Sequence, residues 1–334
     1  MIRRLIFDSI LFAYFLLAVV VFVVNPQTDE AQIEFVMAWP WGILFFGLGA
    51  LLSIALHRFG FITLGEFIFQ TQKMERVWYK TLWGWQLLLF LVLTFGIGLQ
   101  ATHFSLLEIA DRDGFIGAMR LFNGLAHPNF TVLPRAILNI IETIFIAFVA
   151  TTLAIPLAFV LCFFCAKNIM RSSWAFFIYF LLRTILNVIR SVEALIWAII
   201  FTVWVGIGPF AGMLALLVHS VASLAKQYSE IVESVNDGPI EGIQSTGATQ
   251  LQTVWFGIVP QVMLPFISFT VYRWDINVRM ATIIGFVGGG GIGSMLVMYQ
   301  GQARWPEVGC IILVIAVVVW FMDTLSAYIR EALK

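Results

Sequence analysis

The sequence predicts an all-α, polytopic membrane protein, and three observations carry that prediction. Of 334 residues, 61% are hydrophobic and 11% are charged, against about 45–50% and 25% in an ordinary soluble domain. Apolar runs of about 20 residues, the length that crosses a bilayer as a helix, recur along the chain. The 12 Trp and 32 Phe suit a lipid solvent and its interfaces. The 19 Lys and Arg balance the 19 Asp and Glu, so no net positive field draws nucleic acid to the chain.

Eight crossings are expected, over residues 6–24, 39–57, 83–101, 136–165, 193–206, 209–226, 260–285 and 308–328. The first follows Arg3 and Arg4 as a signal peptide would. No small-residue cleavage site follows Val24, so it reads as a retained anchor. The stretch 174–190 is apolar but holds Arg183, Asn187 and Arg190. It reads as an interfacial helix whose arginines snorkel to water, with a ninth crossing as the alternative.

Orientation follows from positive charge. With a cytoplasmic N-terminus, Arg3, Arg4, Arg58, Lys73, Arg76, Lys80, Lys167, Arg171, Arg183, Arg190, Lys226, Arg330 and Lys334 lie inside. Only Arg112, Arg120, Arg135 and Arg304 lie outside, and the loop 25–38 holds Asp29, Glu30 and Glu34 without a basic residue. Both termini are then cytoplasmic.

The loop 227–259 is the least apolar stretch of the second half. Asp237, Gly238 and Pro239 form a turn with Pro at a helix start. A short helix follows over 240–244, Ser245, Thr246 and Gly247 break it, and a second helix runs from Ala248 or Thr249 to Phe256. Two short helices joined at a glycine make a knob that a soluble partner can grip.

Glu241, Gly247 and Pro260 carry the spacing of the EAA loop of bacterial ABC importer permeases: EAA, three residues, G, nine residues, I, one residue, LP. Gly242 and Ile243 replace the alanines, Gly257 stands at the Ile position and Val259 at the Leu. With NIIETIFIAFVATTLAIPLAF, IRSVEALIWAIIFTVWVGIGPFAG and STGATQLQTVWFGIVPQVMLPFISFTVYRWDINVRMATIIGFVGGGGIG, residues 134–334 resemble the permeases of phosphonate importers. The resemblance implies a type I ABC importer permease core over 82–334, in a bacterial inner membrane, behind accessory N-terminal helices and a basic loop over 1–81. It implies a second permease subunit, two cytoplasmic ATPase subunits that carry the ATP and Mg, and an extracytoplasmic binding protein. Glu241, Gly242, Ser245, Gly247, Ala248 and Pro260 would contact the ATPase, and this chain would hold no cofactor and no catalytic or metal site of its own. The implied cargo is a phosphonate or a related phosphorus oxyanion.

Arg273, Asp275 and Arg279 interrupt an apolar run, where each charge costs about 2.5–3.5 kcal/mol. They cannot all point one way on an ideal helix. Two readings stand: Asp275 pairs with Arg279 as a structural element, or an arginine lines the path of an anion, whose oxygens match the guanidinium fork, with Asn277 as a neutral donor. Glu142, Arg190 and Glu193 are expected to form buried ion pairs or to gate, Glu142 and Glu193 pairing with Arg273, Arg279 or Arg190 and Glu193 lying near the cytoplasmic surface. Gly285, Gly288, Gly291 and Gly293 read as hinge or close-packing glycines, because neither a P-loop nor a dinucleotide turn fits them; backbone contact with an anion is the alternative.

His57, His103, His127 and His219 share no metal-ligand spacing, and Cys162, Cys165 and Cys310 lie in apolar runs that suit packing. The external stretch 102–135 holds a short helix over 115–125. An ABC permease for another solute, or an ion-coupled transporter using Glu142, His219 and Arg279, are the competing functions.

Overall fold

The computed structural model describes residues 2–20, 39–69, 77–102, 104, 105, 107, 111–170 and 172–333. The loop 25–38, Lys73, Arg76, His103, Arg171 and Lys334 lie outside the described residues. The chain forms two compact units, Met1–Gly114 and Phe115–Lys334.

In the first unit, α1 (Ile2–Val19) lies along α2 (Trp39–Arg58), and the short α3 (Leu64–Phe69) and α4 (Leu82–Ala101) pack on α1. Gly49 lets the first two helices touch, since a Cβ there would stand 2.5 Å from the Ser9 carbonyl oxygen. The buried Asp8 caps α3: its carboxylate accepts from the Thr63 hydroxyl at 2.5 Å and from Gly65 N–H at 2.8 Å. Gln86 Oε1 accepts from Leu64 N–H at 2.7 Å, so two otherwise orphaned donors at this helix start are met from neighbouring helices. Helix α4 packs by its contacts within the first unit.

Next come α5 (Arg112–Ala126), α6 (Leu133–Phe164), α7 (Ser173–Ser191), α8 (Ala194–Val205), α9 (Pro209–Glu233), α10 (Asp237–Ser245), α11 (Gln250–Thr253), α12 (Val259–Ile284), α13 (Gly291–Gly301) and α14 (Trp305–Ala332). Helix α6 is the spine of the second unit, flanked by α9, α12, α13 and α14. Its buried face runs Ala136, Ile140, Thr143, Ala147, Ala150, Ala154, Ala158, Cys162, mostly small side chains at helical spacing. The facing α9 offers Ala211, Ala215, Ser220, Ala222 and Ala225. Such stripes bring backbones close, which supplies packing where lipid gives no hydrophobic drive between helices.

Three apolar clusters stack along α6. One around Ala136, Ile292 and Ile311 marks the glycine end, one around Ala147, Ala215 and Val278 the middle, and one around Ala158, Tyr228 and Ile258 the loop end. Six helices among the described residues are long and apolar enough to span: Leu82–Ala101, Phe130–Phe164, Ser173–Ser191, Pro209–Glu233, Gln250–Val287 and Trp305–Ala332. Helix α8, read from sequence as a full crossing, has 12 residues and rises only about 18 Å of a hydrocarbon core about 30 Å thick. Helix α2 has 20 residues, the length of α4, and α1 carries Arg3, Arg4 and Asp8 ahead of its apolar run, whose expected remainder, 21–24, lies outside the described residues.

Helix α7, which precedes α8, is itself long and apolar enough to span. Its Leu186 packs in the loop-end cluster, whereas Ala194, Ala198 and Phe201 of α8 pack in the middle cluster. The two helices are separated at Val192 and Glu193, both extended. Ser191 donates its hydroxyl to Val188 O at 2.7 Å, a local bond that competes with helix continuation. Glu193 is exposed and adjoins Ala194, which packs in the middle cluster. Arg183 does not snorkel freely: it donates to Glu233 at 2.6 Å, to Tyr179 Oη at 3.0 Å and to Cys165 O at 3.3 Å.

Candidate functional site

The loop knob is ordered by its own side chains. Asn236 caps α10 by accepting from Gly238 N–H at 3.3 Å. Gly247 ends it with φ +81°, the left-handed turn that glycine enters without steric cost. Thr249 and Gln252 then form a capping box at α11. Beyond it a π turn at Val254–Ile258 runs straight into α12, so the second knob helix is continuous with a long apolar helix. The first spans Asp237–Ser245, longer than the expected 240–244.

No residue of α10 is buried. Glu241, Gly242, Ser245, Gly247 and Pro260 are exposed and Ala248 half-buried, so five of the six expected contact residues face outward. Gln261 ties the knob down: its Oε1 accepts from Asn236 N–H at 3.1 Å while its Nε2 donates to Gly257 O at 2.6 Å. At the same end Glu233 accepts from Lys167 N–H at 2.9 Å and from Arg183.

The departures from the EAA pattern compensate one another. Ile243 stands where the motif has Ala, and Gly257 where it has Ile, and the two meet. A Cβ on Gly257 would touch Ile243 Cδ1 at 3.4 Å and Ile240 Cα at 3.6 Å, leaving no room for a longer side chain. Gly257→Ile is expected to destabilise the purified protein by about 1–3 kcal/mol through overpacking. Adding Ile243→Ala should restore most of the loss in a thermal melt, and equal melts for the wild type and the single variant would contradict the packing.

A groove of about 1000 Å³ opens beside the knob, between the end of α6, residues 168–175 and α10–α12. Phe159, Phe163, Leu251, Trp255 and Ile258 line it, with Asp237 as the one charged lining residue among the described residues.

The three charges of α12 sort onto two faces of a regular helix. Residues 273 and 275 differ by about 200° around the axis. Asp275 and Arg279 pair at 2.7 Å, and Arg279 reaches Asp323 of α14 at 3.4 Å. Arg273 and Asn277 face α6 and α9 instead. Arg273 Nε donates to Ser220 Oγ at 3.3 Å, and Asn277 Nδ2 donates to Ser220 Oγ and to Thr151 Oγ1, each at 2.8 Å. Arg273, Asp275 and Asn277 are all buried. Sequence reasoning missed Ser220, Thr151 and Asp323; a hydroxyl within an apolar run is a weak signal, and each belongs to another helix.

Glu142 meets backbone rather than an arginine: it accepts from Gly291 N–H at 3.4 Å, while Thr143 Oγ1 accepts from Ile292 N–H at 2.9 Å. These two side chains occupy the N-terminus of α13 that an anion would otherwise use. The glycines are close-packing positions, as a Cβ on Gly293 would overlap Thr282 O and one on Gly285 would stand 2.7 Å from Gly290 O. Gly288 and Gly291 hold φ +90° and +68°. Arg190 and Glu193 are exposed on the chain alone, and the charge of Glu193 acts on both Arg273 and His219.

A small-residue bundle of broken and long apolar helices, with an exposed two-helix knob running into one of them, defines the membrane subunit of a type I ABC importer. The profile of binding-protein-dependent transport system inner membrane components matches residues 158–334, and the chain belongs to that family. It is 34% identical over 231 residues to the phosphite transport system permease protein PtxC of Stutzerimonas stutzeri, covering 66% of this chain and 83% of that protein. It is 41% identical over 119 residues to the putative cryptic phosphonate transport system permease protein PhnE2 of Escherichia coli, covering 36% of this chain and 98% of that protein. Among solved structures, an inward-facing MetNI methionine ABC transporter aligns with TM-score 0.51 at 21% identity, over 59% of this chain and 95% of that chain. The chain is thus a multi-pass inner-membrane component of an ABC import system.

Proposed function

We propose that this chain is the transmembrane subunit of an ATP-driven importer for phosphite, phosphonate or a related phosphorus oxyanion. The curated relatives named for phosphite and phosphonate transport support the cargo class. One observation carries the coupling: α10 is capped at both ends yet buries none of its residues in its own chain. A rigid element held ready and unburied is suited to a protein partner, and that partner is a separate ATPase carrying ATP and Mg. Closure of two such ATPases pushes the knob, and its continuity with α12 transmits the push into the membrane as a rocking of helices. The knob faces the cytoplasm and both termini lie on that side. A second permease subunit completes the pore, and an extracytoplasmic binding protein delivers the cargo.

Co-purification tests the coupling. An affinity-tagged chain co-expressed with its ATPase should retain the ATPase, and Glu241→Lys should lose it while leaving the permease monodisperse, because Glu241 is exposed and forms no ion pair among the described residues. Unchanged recovery with both Glu241→Lys and Gly247→Asp would remove the knob from the interface.

A further inference from the structure

We propose that Arg273, with Asn277 and Ser220, forms an intramembrane seat for one tetrahedral oxyanion, an inference that rests on the phosphorus-oxyanion reading of the cargo. Arg273 is only 7% exposed, yet its single recorded hydrogen bond goes to a hydroxyl. Its Nη2 is buried with no partner, and among the described residues no carboxylate lies within 4.0 Å of it. Arg4, Arg183, Arg279 and Arg304 all reach a carboxylate. A buried charge left without a counter-ion is strongly unfavourable, and here the described residues supply the more distant fields of Glu193 and Tyr272. An anion on the guanidinium fork removes that cost.

The neighbours fit such a guest. Ser220 Oγ already accepts from Arg273 and Asn277, so its own proton is free to be donated. Asn277 Oδ1 is a second buried atom without a partner. An unused donor on Arg273 beside an unused acceptor on Asn277, one helical turn apart, matches a monoprotonated oxyanion: the P–O⁻ faces the guanidinium and the P–OH donates to the amide oxygen. Three helices converge here, α6 through Thr151, α9 through Ser220 and α12, so rocking of α12 opens or closes the seat. The pair Asp275–Arg279 offers nothing comparable, because two carboxylates already occupy Arg279.

The experiment uses the complete transporter, permease with ATPase and binding protein, in proteoliposomes, with labelled phosphite and inorganic phosphate as probes. Asn277→Asp sets a carboxylate beside Arg273 and fills the seat with a permanent internal anion. It should assemble in wild-type yield while uptake per assembled complex falls about a hundredfold. Arg273→Lys, which keeps the charge and loses the fork, should fall about tenfold. Wild-type uptake by Asn277→Asp overturns the seat, as does a loss of uptake that only mirrors a loss of assembled complex. If the wild-type complex takes up neither probe, the cargo reading fails first and the seat with it.

Discussion

Gly293→Val should abolish accumulation of folded protein. The added Cβ would overlap the Thr282 carbonyl oxygen and stand 2.9 Å from Gly285 Cα. Both are backbone atoms of the α12 end and its following turn, so no side-chain rotation relieves the contact. Overpacking in a well-filled core costs about 1–3 kcal/mol when side chains can yield, and a backbone clash belongs at or above the top of that range. The same segment is held by Gly288 O accepting from Gly208 N–H at 2.8 Å and by Gly212, where a Cβ would stand 2.5 Å from Gly289 O. Displacing α13 therefore also displaces the start of α9. Gly301→Ala, at a position with nothing within 4 Å, is the matched control and should be silent. Size-exclusion profiles of the solubilised protein read the outcome, and a monodisperse Gly293→Val peak of wild-type height would refute the close packing.

Arg279→Met carries the second large effect. It strands the Asp275 carboxylate, whose side chain is 4% exposed, on the face of α12 toward α14. Removing one partner of a fully buried ion pair costs about 3–5 kcal/mol, and with Arg279 44% exposed the cost here falls below that range, whereas replacing both partners is often nearly neutral. The double variant Asp275→Asn with Arg279→Met should therefore melt close to wild type, with the single Arg279→Met below it. Uptake by the double variant should stay within a few-fold of wild type, since this pair ties α12 to Asp323 rather than holding cargo. A double variant as unstable as the single one, or one that assembles without transporting, would return Arg279 to the anion path.

What was legible in the sequence depended on how local each signal is. The knob was readable because Asp237–Gly238–Pro239, Gly247 and Pro260 are all turn or helix-start residues within one short stretch. Lys and Arg counts pointed to an orientation because that bias is summed along the chain. The break between α7 and α8 was hidden, since Val192 and Glu193 are neither Gly nor Pro. The split of the α12 charges was half visible: the spacing forbade a common face, but Ser220 lies 53 residues from Arg273 and Thr151 lies 126 from Asn277. Glu142 was expected beside an arginine because charge was the only partner a sequence displays. Its actual partner is the backbone N–H of Gly291, which composition does not reveal.

The central claim is that this chain moves a phosphorus oxyanion by drawing on ATP hydrolysed by another subunit. Uptake of labelled phosphite, phosphate and methylphosphonate into proteoliposomes holding the complete complex tests it directly, with ATP supplied on the knob side and no ion gradient imposed. The account predicts accumulation of at least one of the three that requires ATP and disappears with Glu241→Lys. Accumulation that persists without ATP and collapses with a proton or sodium gradient would contradict it.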